Sequence, residues 1–303
     1  MTSESPSNNL NGTGETTSPT GVDVGIVVPT KNGAATLDRL LTAIKRQRTE
    51  LSWEILAIDS GSTDGTLEVL RTRGARVHEI QPEEFSHSRT RNLGARLARA
   101  ESYLVFLNQD AIPANDDWLT SLIRPLRSDP LIKAVSAIEL DPRAHHPFNV
   151  TGIASCAFRN SLIDATYVMS RDLAPLVTSL PKSTARQLYL FTTVCAAFDK
   201  SYFDSHPFNP KVEYGEDLHW AVAAIGDGVK VACASKAQVF HLPATSDREY
   251  FSRLKRDMRL GEEIFGPGYR SRWGWLAWAL GLHRVHRWTI RSIHRLGKLA
   301  GGS

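Results

Sequence analysis

The alternation of short apolar runs with segments of helical spacing is the feature that most limits how this chain can fold. Apolar runs rich in β-branched residues are typical of buried strands, and they occur at Val22–Val28, 53–60, 75–80 and 103–107. Helical spacing of apolar residues follows at 34–47, 63–73 and 87–100. Strands that alternate with helices predict an α/β fold, in which right-handed connections wind both faces of a parallel sheet.

Polar segments follow the predicted strands, and in a parallel sheet these segments meet at one edge. They are PTKN at 29–32, DSGSTDG at 59–65, SHSRTRNLG at 86–94 and NQDA at 108–111. Ligands of open α/β sheets bind beyond the carboxyl ends of the strands. Asp59 and Asp64 enclose a glycine, so we expect a tight turn that directs backbone N–H groups at a nucleotide. In the alternative interpretation, both aspartates only stabilise the turn.

Neither of the common glycine patterns for phosphate binding occurs in the chain. Gly-x-Gly-x-x-Gly and Gly-x-x-x-x-Gly-Lys are both absent. A diphosphate must then be held in another way, most simply by a metal ion on Asp110, which closely follows an apolar run.

The second half of the chain is less regular, because prolines interrupt any period between 141 and 190. Its patterns predict strands at 189–198, 229–233 and 237–242, a helix at Asp217–Ile225 and a charged helix at 247–263. We therefore predict one domain at 22–263, with two halves at 22–115 and 116–263.

The two ends of the chain differ in composition from the body. Residues 1–21 are mostly small and polar, which predicts a disordered leader rather than a signal peptide. Residues 264–303 carry seven basic and no acidic side chains, which gives this segment a charge of +7. Because the net charge of the whole chain is +4, residues 1–263 together carry a net charge of −3.

The basic segment at 264–303 is predicted to be an amphipathic helical tail, with basic residues beside an apolar stripe. Its apolar stretch at 273–282 is about half of the roughly 20 residues that span a bilayer. We expect 270–298 to lie on an anionic membrane surface, which would place the protein in the cytoplasm on the inner face of the cell membrane. The alternative is packing on the body or a second subunit. The acidic body argues against nucleic acid as a partner.

In their order along the chain, these motifs resemble those of the inverting glycosyltransferases of family 2, from Val22 to about Gly261. The resemblance implies the GT-A fold, a Rossmann-like mixed sheet flanked by helices, and a nucleoside diphosphate sugar as donor. It also implies that 22–115 is the donor-nucleotide half and 116–263 the acceptor half. It implies that PTKN and DSGSTDG hold the uracil or thymine and the ribose, with Asp59 facing the base. The donor-binding residues in these motifs are Pro29, Thr30, Asn32, Asp59, Gly61 and Ser62.

The resemblance also assigns the diphosphate, metal and acceptor positions. It implies that Arg91 and Asn92 line the diphosphate side, and that Asp110 ends the metal-binding Asp-x-Asp motif. His241 would complete a site for Mg²⁺ or Mn²⁺, and Glu216 and Asp217 of the GED motif would contain the catalytic base. Asn108 and Gln109, which precede Asp110, are expected to contact the donor.

Asn108 departs from the family pattern, which has Asp at this position. A neutral amide adds no charge, whereas hard cations prefer charged oxygen ligands. Two motifs, QDA at 109–111 and FSHSRTRNLG at 85–94, are most similar to those of the rhamnosyltransferase subset of the family. The members of this subset act on lipid-linked or cell-surface glycans.

Sugar transfer needs a base within reach of the attacking hydroxyl, on the face of the sugar opposite the diphosphate. Asp217 begins a predicted helix, whose dipole favours an ionised carboxylate, and Glu216 would orient the acceptor. We therefore expect transfer with inversion from a UDP- or dTDP-linked sugar to a lipid-linked or polymeric glycan. Two alternative interpretations remain open. Glu216 and Asp217 would only favour the start of a helix, and His241 would be a histidine at a strand end that forms hydrogen bonds without binding a metal.

Two rival functions share the same donor motifs. The first is a synthase that loads a sugar onto a polyprenyl phosphate. The second is a non-catalytic scaffold that binds nucleotide sugars, for which Asn108 is the best argument.

Overall fold

The computed structural model describes residues 21–140, 167–173 and 191–241, together with the helical residues 252, 256, 257 and 259–264. Its strands are β1 (Val22–Thr30), β2 (Trp53–Asp59), β3 (Arg76–Glu79), β4 (Ala100–Leu107), β5 (Ala111–Pro113), β6 (Ile132–Leu140), β7 (Tyr167–Met169), β8 (Cys195–Asp199) and β9 (Lys230–His241). In this part of the chain they form one mixed sheet in the order β3-β2-β1-β4-β8-β6-β9-β5, with β7 paired to β9.

The predicted parallel sheet is confirmed for β3, β2, β1 and β4, which pair parallel to one another. Three α-helices connect them: α1 (Ala34–Lys45), α2 (Thr66–Thr72) and α3 (His87–Leu97). The side chains of β1 alternate between two cores. Ile26 and Val28 pack in one core with Leu40 of α1, whereas Val27 packs in the other with Ala95 of α3. Helices therefore cover both faces, and the polar segments after the strands are left at the edge.

The other half of the sheet is mostly antiparallel. β8 pairs antiparallel with β4 and β6, and β9 runs parallel to β6 but antiparallel to β5 and β7. Among its described residues are the helices α4 (Trp118–Ser128), α5 (Lys200–Ser205) and α6 (Glu216–Gly226), besides the helical residues between 252 and 264. Phe106 of β4, Phe198 of β8 and Trp220 of α6 lie in one aromatic cluster, with the rings of Phe198 and Trp220 centred 4.9 Å apart. This cluster holds the beginning of α6 beside the end of β4.

Several predicted boundaries differ from the observed ones. Pro29 lies inside β1 rather than ending it, because β4 pairs with β1 only as far as Val27 and leaves that side free of a hydrogen-bonding strand. Helix α3 ends at Leu97, so that β4 begins at Ala100. The strands predicted at 229–233 and 237–242 are one strand, β9, whose pairing with β6 shifts register between Ala137 and Ile138.

Residues 111–140 form β5, α4 and β6, none of which is among the sequence predictions. β5 has only three residues, too few to show a period. α4 buries Trp118, Leu119, Leu122 and Leu126 at helical spacing, so a signal for this helix is present in the sequence. Of the strand predicted at 189–198, the structure describes residues 191–198, and of these only 195–198 belong to a strand, β8. The missed elements matter because β6 and β9 supply residues of the site.

Some predictions fall on residues that the structure does not describe. They fall in the leader up to residue 20, in the segments 141–166, 174–190 and 242–251, at 253–255 and 258, and in the tail from 265 onward. Of the helix predicted at 247–263, the described residues 252, 256, 257 and 259–263 are helical. The domain boundaries and the membrane surface at 270–298 therefore stay predictions. Within the described ranges, no helix is both long and apolar enough to cross a bilayer.

Gly94 of the SHSRTRNLG segment lies where α3 packs against β1. A Cβ atom here would be 2.2 Å from Cγ1 of Val27, which is fully buried. Since valine has few alternative rotamers, we expect Gly94→Ala to lower the free energy of unfolding by about 1–3 kcal/mol. Urea denaturation measures the change. Gly226→Ala is the control, because no atom lies within 4 Å of its added Cβ; equal losses in both variants would contradict the prediction.

Candidate active site

Hydrogen bonds join the loops that follow β1 and β2 into one surface. Asn32 Oδ1 accepts from the Thr63 N–H at 2.8 Å, and the Asn32 N–H donates to Ser62 Oγ at 2.8 Å. Lys31 Nζ donates to the Ser60 carbonyl at 2.9 Å. Asn32 has a φ of +46°, in the left-handed region that asparagine tolerates better than most residues. The predicted PTKN and DSGSTDG motifs are therefore brought together at the edge of the sheet.

Asp59 lies fully buried beneath this surface. Its Oδ1 accepts from the N–H groups of Gly61 and Ser62 at 3.1 and 2.8 Å. Its Oδ2 accepts from Thr30 Oγ1 at 2.9 Å and from Ser62 Oγ at 2.6 Å. Gly61 has a φ of +82°, which favours glycine. Asp59 thus stabilises the turn, and its contact with the base stays a prediction.

Gln109 connects the end of β4 to the loop after β1. Its Oε1 accepts from the Lys31 N–H and its Nε2 donates to the Lys31 carbonyl, both at 3.0 Å. The side chain therefore pairs with the backbone of residue 31 in the manner of a neighbouring strand.

A buried ion pair connects α3, the end of β4 and the beginning of α6. Arg91 Nη1 donates to Glu216 Oε1 at 2.8 Å, and Arg91 Nη2 donates to Asn108 Oδ1 at 3.0 Å. The side chains of Arg91 and Glu216 are only 4% and 6% exposed. An amide oxygen is sufficient as the acceptor for this guanidinium, so the contact gives Asn108 a structural role that needs no carboxylate.

At the beginning of α6, the fold clearly shifts the pKa of one acid, Glu216. Burial raises the pKa of Glu216 to about 7, and the charge of Asp217 acts in the same direction, while Arg91 lowers it. Because the carboxyl group lies against Arg91, the geometry favours a supporting role. Its predicted contact with the acceptor stays a prediction.

Asp217 lies in the first turn of α6 and is less buried than Glu216. Its Oδ2 accepts from the N–H and the Oγ1 of Thr193, at 2.9 and 3.2 Å. The carbonyl of the next residue, Val194, accepts from the Asn108 N–H at 2.9 Å. The segment before β8 therefore lies between the end of β4 and the beginning of α6, and it brings Asp217 near residue 108.

Asp110 and His241, the two predicted metal ligands, lie side by side. The distance from His241 Nε2 to Asp110 Oδ1 is 3.6 Å, and His241 Nδ1 lies 2.9 Å from Glu139 Oε2. Burial alone would lower the pKa of His241, but its contacts with Asp110 and Glu139 outweigh burial and raise the pKa to about 9.

This pair fits a divalent cation. Two atoms that bind one Mg²⁺ at about 2.1 Å lie no more than about 4.2 Å apart, and the observed separation is smaller. Glu139 holds Nδ1 of His241 and leaves Nε2 as the ligand atom, as outer carboxylates do in metal sites. No cluster of three or more His, Cys, Asp or Glu side chains suited to a metal occurs among the described residues. Phosphate oxygens of a ligand would have to complete the coordination, as is common for Mg²⁺.

The three residues after β4 therefore connect to three different parts of the site. Asn108 contacts Arg91, Gln109 contacts the loop after β1, and Asp110 contacts His241. Asn92, by contrast, uses its amide for the Phe208 backbone, donating to the carbonyl at 2.8 Å and accepting from the N–H at 3.1 Å. Its contact with a donor stays a prediction.

Three residues of the site are missing from the sequence predictions: Lys31, Glu139 and Thr193. Glu139 lies near the carboxyl end of β6, so the rule that ligands bind beyond strand ends would include it once β6 is recognised. Thr193 carries no signal in its sequence context, since it acts through its contact with Asp217.

Comparison with solved structures agrees with this architecture. The mannosyltransferase PcManGT from Pyrobaculum calidifontis, solved with GDP-Man and Mn²⁺, has a TM-score of 0.57 at 18% identity, over 92% of this chain and 80% of that one. S. aureus TarS, solved with UDP-GlcNAc, has a TM-score of 0.56 at 14% identity, over 79% of this chain and 65% of that one. This chain thus spans slightly less than two thirds of TarS. The fold is that of the GT-A class of glycosyltransferases.

Sequence comparison then gives the family. Residues 25–150 match Glycosyl transferase family 2, and the chain contains a domain of this family. The O-antigen chain rhamnosyltransferase RfbN of Salmonella typhimurium is 28% identical over 232 residues, which are 76% of this chain and 69% of RfbN. The resemblance stated from the motifs is therefore confirmed.

Proposed function

We propose that this glycosyltransferase moves a sugar, rhamnose, from a nucleoside diphosphate to a lipid-linked or polymeric glycan during synthesis of a cell-surface polysaccharide. The observation that carries the proposal is that the three residues after β4 join the parts of the site at one edge of the sheet. Asn108 contacts Arg91, which pairs with Glu216 of α6, while Gln109 contacts the loop after β1 and Asp110 contacts His241. Similarity to an O-antigen rhamnosyltransferase supports the sugar and the acceptor.

The donor lies over the loops after β1 and β2 in this proposal. Thr30, Asn32, Gly61 and Ser62 build the surface that receives the base and ribose, and Asp59 holds its shape from below. The base is uracil or thymine in this proposal, as the resemblance to family 2 implies. Arg91 supports the diphosphate side through Asn108 rather than through an exposed guanidinium.

Asp110 and His241 hold the divalent cation, Mg²⁺ or Mn²⁺. When bound, such an ion neutralises the charge that develops on the leaving diphosphate. Glu139 fixes the His241 ring so that Nε2 faces Asp110. A solved structural neighbour that contains Mn²⁺ supports the cation.

Asp217 is the general base. Its carboxylate takes the proton from the acceptor hydroxyl as the oxygen attacks the anomeric carbon, and the bond to the diphosphate breaks. The N–H and hydroxyl of Thr193 donate to Oδ2 and hold the carboxylate in place. A single displacement of this kind inverts the anomeric centre and needs no covalent intermediate.

The donor can be identified by ligand-induced stabilisation. Thermal unfolding would be followed with UDP-, dTDP- and GDP-linked sugars, with and without Mn²⁺, since a ligand that binds only the folded state raises its stability. We expect a dTDP- or UDP-linked sugar to raise the melting temperature most, and only with the metal present. No shift with any nucleotide sugar would contradict the proposal.

Asp110→Ala is expected to weaken Mn²⁺-dependent donor binding by at least about 10-fold. Loss of a residue that hydrogen-bonds to a metal ligand already lowers metal affinity by about 10-fold or more, and loss of the metal ligand itself should lower it at least as much. Calorimetric titration with and without chelator measures the effect. Asp117→Ala is the matched control, since Asp117 is exposed and makes no capping hydrogen bond. A donor affinity that neither chelator nor Asp110→Ala changes would remove the metal from the proposal.

The non-catalytic scaffold is the second candidate, and Asn108 favours it. Arg91 accounts for an amide at this position, which weakens that argument. Slow release of nucleoside diphosphate by the purified protein separates the two, because a scaffold does not hydrolyse the donor. A product on polyprenyl phosphate itself would instead identify a synthase. We place the enzyme on the inner face of the cell membrane through 270–298, a segment outside the described residues.

A further inference from the structure

A cleft of about 600 Å³ lies between α4 and the loop that joins α1 to β2. The polar residues that line it include Arg48, Glu50, Thr120, Arg124, Arg127 and Ser128. The joining loop lies at the beginning of β1, because the Asp23 N–H donates to Ser52 Oγ at 2.8 Å. The cleft is therefore at the amino-terminal edge of the parallel strands, opposite the edge that holds Asp59 and Asp110.

Three arginines give this cleft its charge. Arg48, Arg124 and Arg127 are exposed, and no hydrogen bond or ion pair joins their side chains to another described residue. The charge of Arg127 does act on Asp23, whose pKa is lowered mainly by its hydrogen bonds with Ser52 and in smaller part by Arg127. Some exposed arginines elsewhere are paired: Arg71, for example, pairs with Glu79 at 2.7 Å. Glu50 is the one acid among the lining residues, so their net charge is +2.

The arginines reach the cleft from two sides. Arg124 and Arg127 are three residues apart on α4 and lie on one face of the helix. Arg48 faces them from the joining loop, whose position is fixed by its N–H bond to the Asp116 carbonyl at 2.6 Å. The hydroxyls of Thr120 and Ser128 already donate to backbone carbonyls, which leaves the guanidinium groups as the free donors.

We propose that this cleft is a second ligand site, which binds a phosphate group. Guanidinium groups match phosphate oxygens with paired hydrogen bonds, and the volume is in the range of small-molecule sites. The phosphate belongs either to an anionic phospholipid headgroup or to a soluble phosphate compound, since both present the same oxygens. The site lies away from the catalytic edge and does not depend on the sugar that is transferred.

The test compares two triple variants of the full chain. Arg48→Gln/Arg124→Gln/Arg127→Gln removes the charge of the cleft. Arg39→Gln/Arg96→Gln/Arg99→Gln removes the same charge from exposed positions that do not line it. Binding is measured by co-sedimentation with phosphatidylcholine vesicles that contain phosphatidylglycerol, and by thermal shift with sodium pyrophosphate in the presence of chelator. Arg124→Gln alone is a milder variant in case the triple variant unfolds.

Each basic residue near an anionic surface contributes about 5-fold to binding, so we expect about 100-fold weaker vesicle binding for the cleft variant. Vesicle binding lost only in the cleft variant identifies a lipid headgroup. A pyrophosphate-induced stabilisation lost only in the cleft variant identifies a soluble phosphate. If the cleft variant behaves like wild type in both assays, or if the control loses as much, the proposal is wrong. Unchanged donor hydrolysis in the cleft variant separates this result from the proposed sugar transfer.

Discussion

Replacement of Asp217 by Asn is expected to lower the turnover number for sugar transfer by about 100- to 10,000-fold, the usual range for loss of a general base. The amide oxygen can still accept from Thr193, so α6 and the segment before β8 should keep their positions. Donor binding should therefore be nearly unchanged. Steady-state transfer rates and calorimetric titration of the donor measure the two quantities separately.

Asp227→Asn is the control for this variant, because Asp227 caps the other end of the same helix and is exposed. It removes one carboxylate without touching the site, and its turnover should equal that of wild type. Normal turnover in Asp217→Asn would exclude Asp217 as the base. Glu216, which shares the beginning of α6, would then be the next acid to test.

Replacement of Arg91 by Met is expected to lower the free energy of unfolding by about 3–5 kcal/mol at pH 8, because it leaves the Glu216 carboxylate buried without its partner. Methionine keeps much of the packing of the arginine stem, so the effect reports mainly the lost charge. Chemical denaturation of both proteins measures it.

The same variant has a predictable pH dependence. The pKa of Glu216 is raised to about 7, above its ordinary value of 4.5, so the contribution of this group is fully present below about pH 4.5. That contribution is lost as the pH rises through about 7, because the fold disfavours the ionised form. Without Arg91 the ionised form is disfavoured further, so Arg91→Met should cost less at pH 5 than at pH 8.

Arg71→Met is the matched control, since Arg71 and Glu79 are 2.7 Å apart but 58% and 55% exposed. An exposed pair of this kind contributes at most about 1 kcal/mol. If Arg91→Met costs no more than Arg71→Met at pH 8, the buried pair does not stabilise the junction of α3, β4 and α6.

The parallel half is predictable because its signals are local. β1, β2, β3 and β4 each show as an apolar run, and the polar residues that follow each run must lie at one edge. The antiparallel half is less predictable. β5 is too short to show a period, and the register shift in β9 gives a break in the pattern although the strand continues.

For the site, the sequence indicates the members but not their partners. The family resemblance implies that Asp110 and His241 are a pair, and the two do lie together, whereas Glu139 behind them is not predicted. Asn108 stands where the family has a carboxylate, and the structure gives it a contact with Arg91 instead. The resemblance also implies that Asp59 faces a base, which stays a prediction, while its hydrogen bonds in the structure stabilise a turn.

By itself, the sequence determined the parallel half of the sheet and the edge at which its polar segments gather. Both can be predicted because the hydrophobic period of a strand or helix, and the residues that follow a strand, are set by positions that are neighbours in the chain. Only the tertiary structure decided which side chains meet there. Arg91 and Glu216 are 125 residues apart in the chain, and Glu139 and His241 are 102 apart. Such contacts depend on how β8, β6 and β9 pair, and strand pairing across long separations leaves no periodic trace in the chain itself.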